Sequence, residues 1–273
     1  MGPFALLLLA SLVPVHASGP EDWAALHSGR LIAALDRDPA AAITVYEAVL
    51  KHLDSDDPLR SDYMFWLGRA WFEAGLPDEA RASLDAVDSR SSVSPPARAL
   101  RGRIQLDQNR VRALPTTIDP TSDGTPLVMG WSAEAATLDL LPASGSEPAA
   151  LSWTLPTDQL RAGFLAIGLD PDAGTLERVH LQAQSSTVML AARIIVETFD
   201  GQTYAGVPSV LRPGMWTHVE ARTSQLRSRT PGKESLDPRD VAMVAIEVAS
   251  VDPGATGATG EVLLRTITLD GTR

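Results

Sequence analysis

Apolar positions along the chain follow two different periods. Up to residue 112 they recur three and four apart, the spacing of a helix face. Beyond residue 126 they alternate with polar positions, the spacing of a strand. Prolines punctuate the first part: Pro20, Pro39, Pro58, Pro77 and the pair Pro95-Pro96 each open a candidate helix. Asp38, Asp57 and Ser94 stand just before three of these as N-caps. The pattern predicts helices near 20–36, 39–54, 58–74, 77–88 and 95–109. Residues 113–126 (ALPTTIDPTSDGTP) break both periods with Pro, Thr, Asp and Gly, and are expected to form a linker between a helical domain (18–112) and a second domain (127–273).

The clearest helical stretch is Tyr63–Val87. Phe65, Trp66, Trp71 and Phe72 surround the small pair Gly68 and Ala70, a combination that lets a neighbouring helix approach closely. Gly75 ends the first helix, since glycine accepts the left-handed conformation without a Cβ penalty. Pro77 begins the next, with Asp78 and Glu79 in the first turn where the helix dipole favours acids. Leu67, Gly68, Ala70, Trp71, Gly75, Ala80, Leu84 and Val87 together resemble a tetratricopeptide repeat. Gly68 recurs as Gly102, an offset of 34, the period expected of that family. Upstream the offset is 38: Pro39 aligns with Pro77, Ala42 with Ala80, Tyr46 with Leu84. The four additional residues amount to about one helical turn and are expected to lengthen the preceding helix near Lys51–Ser55. The resemblance covers about a third of the chain and implies a groove for a protein or peptide partner, lined by the first helix of each hairpin. The groove positions it implies are Phe65, Arg69, Phe72 and Glu73, with Arg103 and Leu106 one repeat on. Arg69 and Arg103, 34 apart, would then clamp a carboxylate of a peptide, unless both pair with Glu73, Asp62 or Asp107.

The second half predicts an antiparallel β-sandwich or jelly roll. Val188, Leu190, Ala192, Ile194, Val196 and Thr198 fall on one face of a strand, and Ala242, Val244, Ile246 and Val248 on one face of another. Leu263, Ile267 and Leu269 group together, with Arg265 as the exception. Further strands are expected at 127–131, 136–141, 150–155, 162–169, 176–184 and 215–222. Turns are expected at Asp170-Pro171, Asp200-Gly201, Pro213-Gly214, Asp237-Pro238 and Asp252-Pro253-Gly254. The Gly214-Met215-Trp216 turn and the segment Leu236-Asp237-Pro238-Arg239-Asp240-Val241 resemble the galactose-binding-like jelly roll of many carbohydrate-binding modules. That resemblance implies glycan binding, with Trp131, Tyr204 and Trp216 as the candidate aromatic platforms. The last strand lacks the paired acids relatives often carry there.

Composition narrows the function classes. The formal net charge is −11, which argues against nucleic acid and anionic membrane surfaces. The helical part carries the smaller share of the negative charge and is therefore the expected docking surface for an acidic peptide. Residues 4–15 are mostly apolar, and Val15-His16-Ala17 closes the run with small residues, the pattern of a signal peptide spanning 1–17. The run is too short to cross a bilayer, so the mature chain is expected to be exported, periplasmic or extracellular, without a transmembrane segment. It contains no cysteine, so its cores hold without disulfides.

Catalytic patterns are missing from the sequence. The histidines sit at no metal-ligand spacing, no Gly-x-Ser-x-Gly elbow or phosphate loop occurs, and there is no thiol. Glycosidase-type carboxylate pairs stay open because their pairing is spatial. No cofactor is expected. A structural calcium near Asp119, Asp123 or Asp270 is the weaker reading, since turn acids beside Gly and Pro account for these positions. The expected function is non-enzymatic binding or scaffolding in the cell envelope, with a protein partner ahead of a glycan.

Overall fold

A computed structural model describes residues 20–122, 125–129, 137–141, 147–148, 150–154, 163–229, 235–251 and 259–273. The chain divides into two compact units, one ending at Ile104 and the other spanning Gln105–Arg273. The first holds helices α1 (Pro20–Leu31), α2 (Pro39–Leu50), α3 (Arg60–Glu73) and α4 (Pro77–Asp85). The division falls inside α5 (Ser94–Gln108). Among the described residues no helix is long and apolar enough to cross a membrane.

Proline opens α1, α2 and α4, whereas Pro58 lies in the turn before α3. Asp38 accepts a hydrogen bond from the Ala41 amide at 3.0 Å, with Pro39 in the first turn of α2. Pro77 opens α4 in the same way. Gly75 has φ +79° and ends α3. Several boundaries differ from expectation: α3 begins at Arg60 and not at Pro58, and α4 ends at Asp85 and not at 88. α1 runs into a π-helical turn, Ile32–Asp36, stopped by Arg37 in the left-handed region. α2 ends at Leu50, so the additional residues of the first hairpin form turns over 51–59 and do not lengthen the helix. Asp57 serves as a turn acid, accepting from the Leu59 amide at 2.8 Å.

Two apolar clusters hold the helices. Leu26, Ala42, Ile43, Tyr46, Tyr63, Leu67 and Ala70 join α1, α2 and α3, while Ala80, Leu84, Ala97 and Ile104 form the second cluster with Phe65, Trp71 and Phe72 against it. Gly68 is where α3 and α4 touch. A Cβ there would lie 2.7 Å from Leu84 Cγ and 3.1 Å from the Ala80 carbonyl oxygen. Gly68→Val is expected to destabilise the helical unit by about 1–3 kcal/mol through overpacking. Denaturant unfolding followed by far-ultraviolet circular dichroism measures this.

The second unit is an antiparallel β-sandwich of two sheets. The first orders β10 (Thr217–Arg222), β6 (Thr175–Ser185), β13 (Thr259–Thr272), β4 (Ala150–Thr154) and β3 (Thr137–Leu141), with β1 (Thr116–Ile118) also on β13. The second orders β11 (Arg227–Ser228), β8 (Thr203–Ala205), β7 (Leu190–Thr198), β12 (Val241–Ser250), β5 (Gly163–Gly168) and β2 (Leu127–Met129), with β9 (Ser209–Leu211) also on β7. The predicted face of β7 holds: Leu190, Ala192, Ile194, Val196 and Thr198 are all buried. Val244, Ile246 and Val248 of β12 enter the same core, and Ala242 is the additional residue of a bulge between Val241 and Met243.

β13 departs from the expected phase. Leu264 pairs with Ala183 and Ile267 with Leu181, so Arg265 and Thr266 together oppose Gln182. Val262 and Leu264 face the core on one side of this bulge, Ile267 and Leu269 on the other. Leu263 is thus not on the face of Ile267 and Leu269. The bulge is also why Arg265 broke the apolar pattern. The turn signals at Asp170, Gly201, Gly214 and Asp237 fall between strands as expected, while Asp252-Pro253-Gly254 lies outside the described residues.

Candidate functional site

A cavity of about 330 Å³ opens in the helical unit, at the small end of ligand-pocket sizes. Its wall on α3 is set by helical spacing: Trp66, Arg69, Ala70 and Glu73 recur at i, i+3, i+4 and i+7. His27 and Arg30 face it from α1 and Tyr46 from α2. The guanidinium carbon of Arg30 lies 4.4 Å from the centroid of the Trp66 ring, and that of Arg69 lies 5.3 Å away. Both distances are within cation–π range. Arg69 Nε donates to Glu73 at 2.8 Å, an exposed i,i+4 pair that contributes about 0.3–0.5 kcal/mol. Asp62 is raised above the usual carboxylate range by burial, with the Arg30 charge opposing the shift.

Tyr46 is the buried member of this wall, 1 % exposed. Its ring meets the edge of Tyr63 at 6.0 Å between centroids. Gly29 makes room for it, since a Cβ at that position would sit 2.3 Å from the ring. Burial pushes the Tyr46 phenol up to about 12, with the charges of Arg30 and Arg69 working the other way.

A second polar surface lies on the outer face of the β10-β6-β13 sheet. The bulge aims Arg265 over Trp216, with its guanidinium carbon 4.2 Å from the ring centroid, and Arg265 Nη1 donates to Gln182 Oε1 at 3.2 Å. Farther along, the rings of His180 and His218 lie 5.6 Å apart. Arg178 Nε donates to Asp270 at 2.7 Å, and His218 Nε2 is 3.3 Å from Glu220. Desolvation works against the Glu220 carboxylate, but hydrogen bonds from His218 and Arg222 and the charge of Arg178 outweigh it and hold the group below its usual range.

Residues 32–95 match the tetratricopeptide repeat family model. The match takes in the π turn, α2, α3, α4 and the start of α5. No curated protein matches the chain. Among solved structures, the family 11 carbohydrate-binding module of a cellulosomal cellulase of Clostridium thermocellum aligns at 16 % identity and TM-score 0.44, covering 59 % of this chain and 96 % of that one. The xylan-binding CBM22-1 domain from Paenibacillus barcinonensis aligns at 10 % identity and TM-score 0.35, covering 57 % and 95 %.

Of the positions carried over from the repeat family, Arg69 and Glu73 line the cavity and pair with each other. Phe65 and Phe72 are half-buried against the Ala80–Ile104 cluster. Arg103 is half-buried on α5 and not part of the cavity wall. Leu106 is buried among Val128, Ala166, Ile195, Met243 and Ala245 on the outer face of the β7-β12-β5 sheet. Arg30, Tyr46 and Trp66 were missed. The 38-residue offset sets Leu31 against Arg69, whereas Arg30 lies 39 before it. The π turn supplies the difference, since an i→i+5 turn inserts one residue.

In the sandwich, Tyr204 is 3 % exposed and donates its hydroxyl to the Ser235 carbonyl at 3.2 Å, so its ring belongs to the core. Trp216 is half-buried beneath Arg265. Trp131 lies outside the described residues, as does Asp123. Asp119 is a turn acid, held below the usual range by bonds from the Thr121 hydroxyl and amide. Asp270 is engaged by Arg178. Among the described residues no group of three or more acids and histidines is placed to hold a metal.

Proposed function

We propose that this chain is a non-enzymatic binding protein, exported to the cell envelope, whose helical cavity receives a segment of a protein partner. The observation that carries this reading is the wall formed by Arg30, Trp66 and Arg69, two cations held against one indole in a concavity. Such a wall offers an apolar surface and charge-assisted donors together. The repeat match supports a protein as the occupant, and the apolar run at residues 4–15 supports export. The test is a peptide array probed with the full chain and with Arg30→Ala/Arg69→Ala. The variant is expected to lose about tenfold or more in affinity, since each hydrogen bond to a charged group contributes about 1.5–3 kcal/mol. An unchanged set of bound peptides would reject the reading.

A glycan-binding reading of the sandwich rests on Trp216, the one predicted platform with a partly open ring among the described residues. Its ring is covered by Arg265, so a sugar must displace that guanidinium to stack. Trp216→Ala against the full chain on a glycan array separates this reading from the first.

A further inference from the structure

Arg178, Arg222 and Arg265 share the outer face of the β10-β6-β13 sheet. Arg178 is held by Asp270 at 2.6 Å, and Arg222 Nε lies 3.6 Å from Glu220. Arg265 meets no carboxylate among the described residues, Glu261 of its own strand included. It is nonetheless fixed in place. The bulge opposite Gln182 sets its backbone, the Trp216 ring lies 4.2 Å from its guanidinium carbon, and Nη1 donates to Gln182 Oε1 at 3.2 Å. Bulges of this kind re-aim side chains and recur beside functional sites. Stacking on the indole uses the flat face of the guanidinium and leaves its edge free. One edge N–H is spent on Gln182, and the remaining donors suit a carboxylate met through two parallel bonds.

The surroundings select what carries that carboxylate. Gln182 and Gln184 on β6, Thr268 on β13 and Ser152 on β4 stand out from this face, alternating with the buried Leu181, Ala183, Ile267 and Leu151. These amides and hydroxyls match a hydroxyl-rich chain and offer a protein segment little apolar surface to bury. The net charge of −11 repels a densely charged polymer at a distance, and a single unpaired guanidinium balances a single acid.

We infer, resting on the glycan-binding reading of the sandwich, that this face takes a glycan bearing isolated uronate groups. Arg265 receives the carboxylate, and Trp216 is the support that holds Arg265 in place. The indole then stays covered: the sugar is held by its acid over the Arg265–Trp216 stack, beside the amides of Gln182 and Gln184.

The experiment titrates the full chain with oligosaccharides carrying one glucuronate in an otherwise neutral chain, as the free acid, the methyl ester and the neutral parent. A hexapeptide with a single glutamate is titrated beside them. The free acid is expected to bind about tenfold or more tightly than the ester, the change in affinity that a hydrogen bond to a charged group brings. Arg265→Gln is expected to remove that preference while leaving ester binding and the unfolding midpoint unchanged, because the side chain is exposed. Arg265→Lys keeps the charge without the fork and is expected to retain only part of the preference. Equal binding of acid and ester, or a preference that survives Arg265→Gln, would overturn the uronate proposal and leave the glycan reading standing. Failure of every oligosaccharide to bind would overturn both. The glutamate peptide bound through Arg265, without any oligosaccharide bound, would likewise overturn both and make the face a protein-docking surface.

Discussion

Tyr63→Ala is expected to lower the stability of the helical unit by about 3–5 kcal/mol, the cost of deleting a buried aromatic ring. The residue has no exposed surface and sits at the junction of α1, α2 and α3, among Leu26, Ala42, Tyr46 and Leu67. Its hydroxyl ties α3 to the Asp22 carbonyl of α1, so the substitution removes a packing centre and a cross-helix bond together. Two hairpins offer little redundancy, because a stacked array buries each face only against its neighbours. For a unit of this size the loss corresponds to a fall in unfolding midpoint of about 15 °C or more, read from the helical signal of the full chain. Tyr63→Phe, which removes only the bond, is expected to cost about 1 kcal/mol. If Tyr63→Ala moved the midpoint by no more than Tyr63→Phe does, the packing account of this cluster would fail.

Arg193→Met is expected to cost about 2–4 kcal/mol, and Arg193→Met combined with Glu247→Leu to recover most or all of it. Arg193 on β7 and Glu247 on β12 stand opposite each other in register and form an ion pair. Glu247 is 7 % exposed, so removing its partner leaves a carboxylate in apolar surroundings beside Met243 and Ala245. Breaking one side of a buried pair is strongly destabilising, whereas replacing both partners by apolar residues of similar volume is often neutral or better. The single-variant figure is set below the usual buried-pair range because Arg193 keeps 28 % of its side chain exposed. A double-mutant cycle in denaturant measures the coupling. Additive effects of the two single substitutions would show that the pair is not coupled.

The sequence was most informative where a residue type has a single conformational use. Pro39, Pro77, Asp38 and Gly75 marked helix ends because ring geometry, capping and positive φ leave them few alternatives. The alternation along β7 was legible because one face of that strand is wholly buried. Legibility failed where one residue is inserted into a regular element. The bulge at Arg265 and Thr266 flips the phase of β13, and the π turn at Ile32–Asp36 shifts α1 by one position, which hid Arg30 behind Leu31. Leu106 looked like a groove residue by repeat spacing, but an apolar side chain follows the nearest apolar surface, here the outer face of the second sheet. The cavity wall was not written in any local pattern, since Arg30 of α1, Tyr46 of α2 and Arg69 of α3 meet there only in the fold.

The central claim is that peptide engagement belongs to the helical cavity. It is tested most directly by hydrogen exchange, read by mass spectrometry on the full chain with and without the tightest peptide from the array. The account predicts slowed exchange confined to the segments around Arg30, Tyr46 and Trp66–Glu73. Protection appearing instead along β6, β10 and β13 would contradict it and move the site to the sandwich.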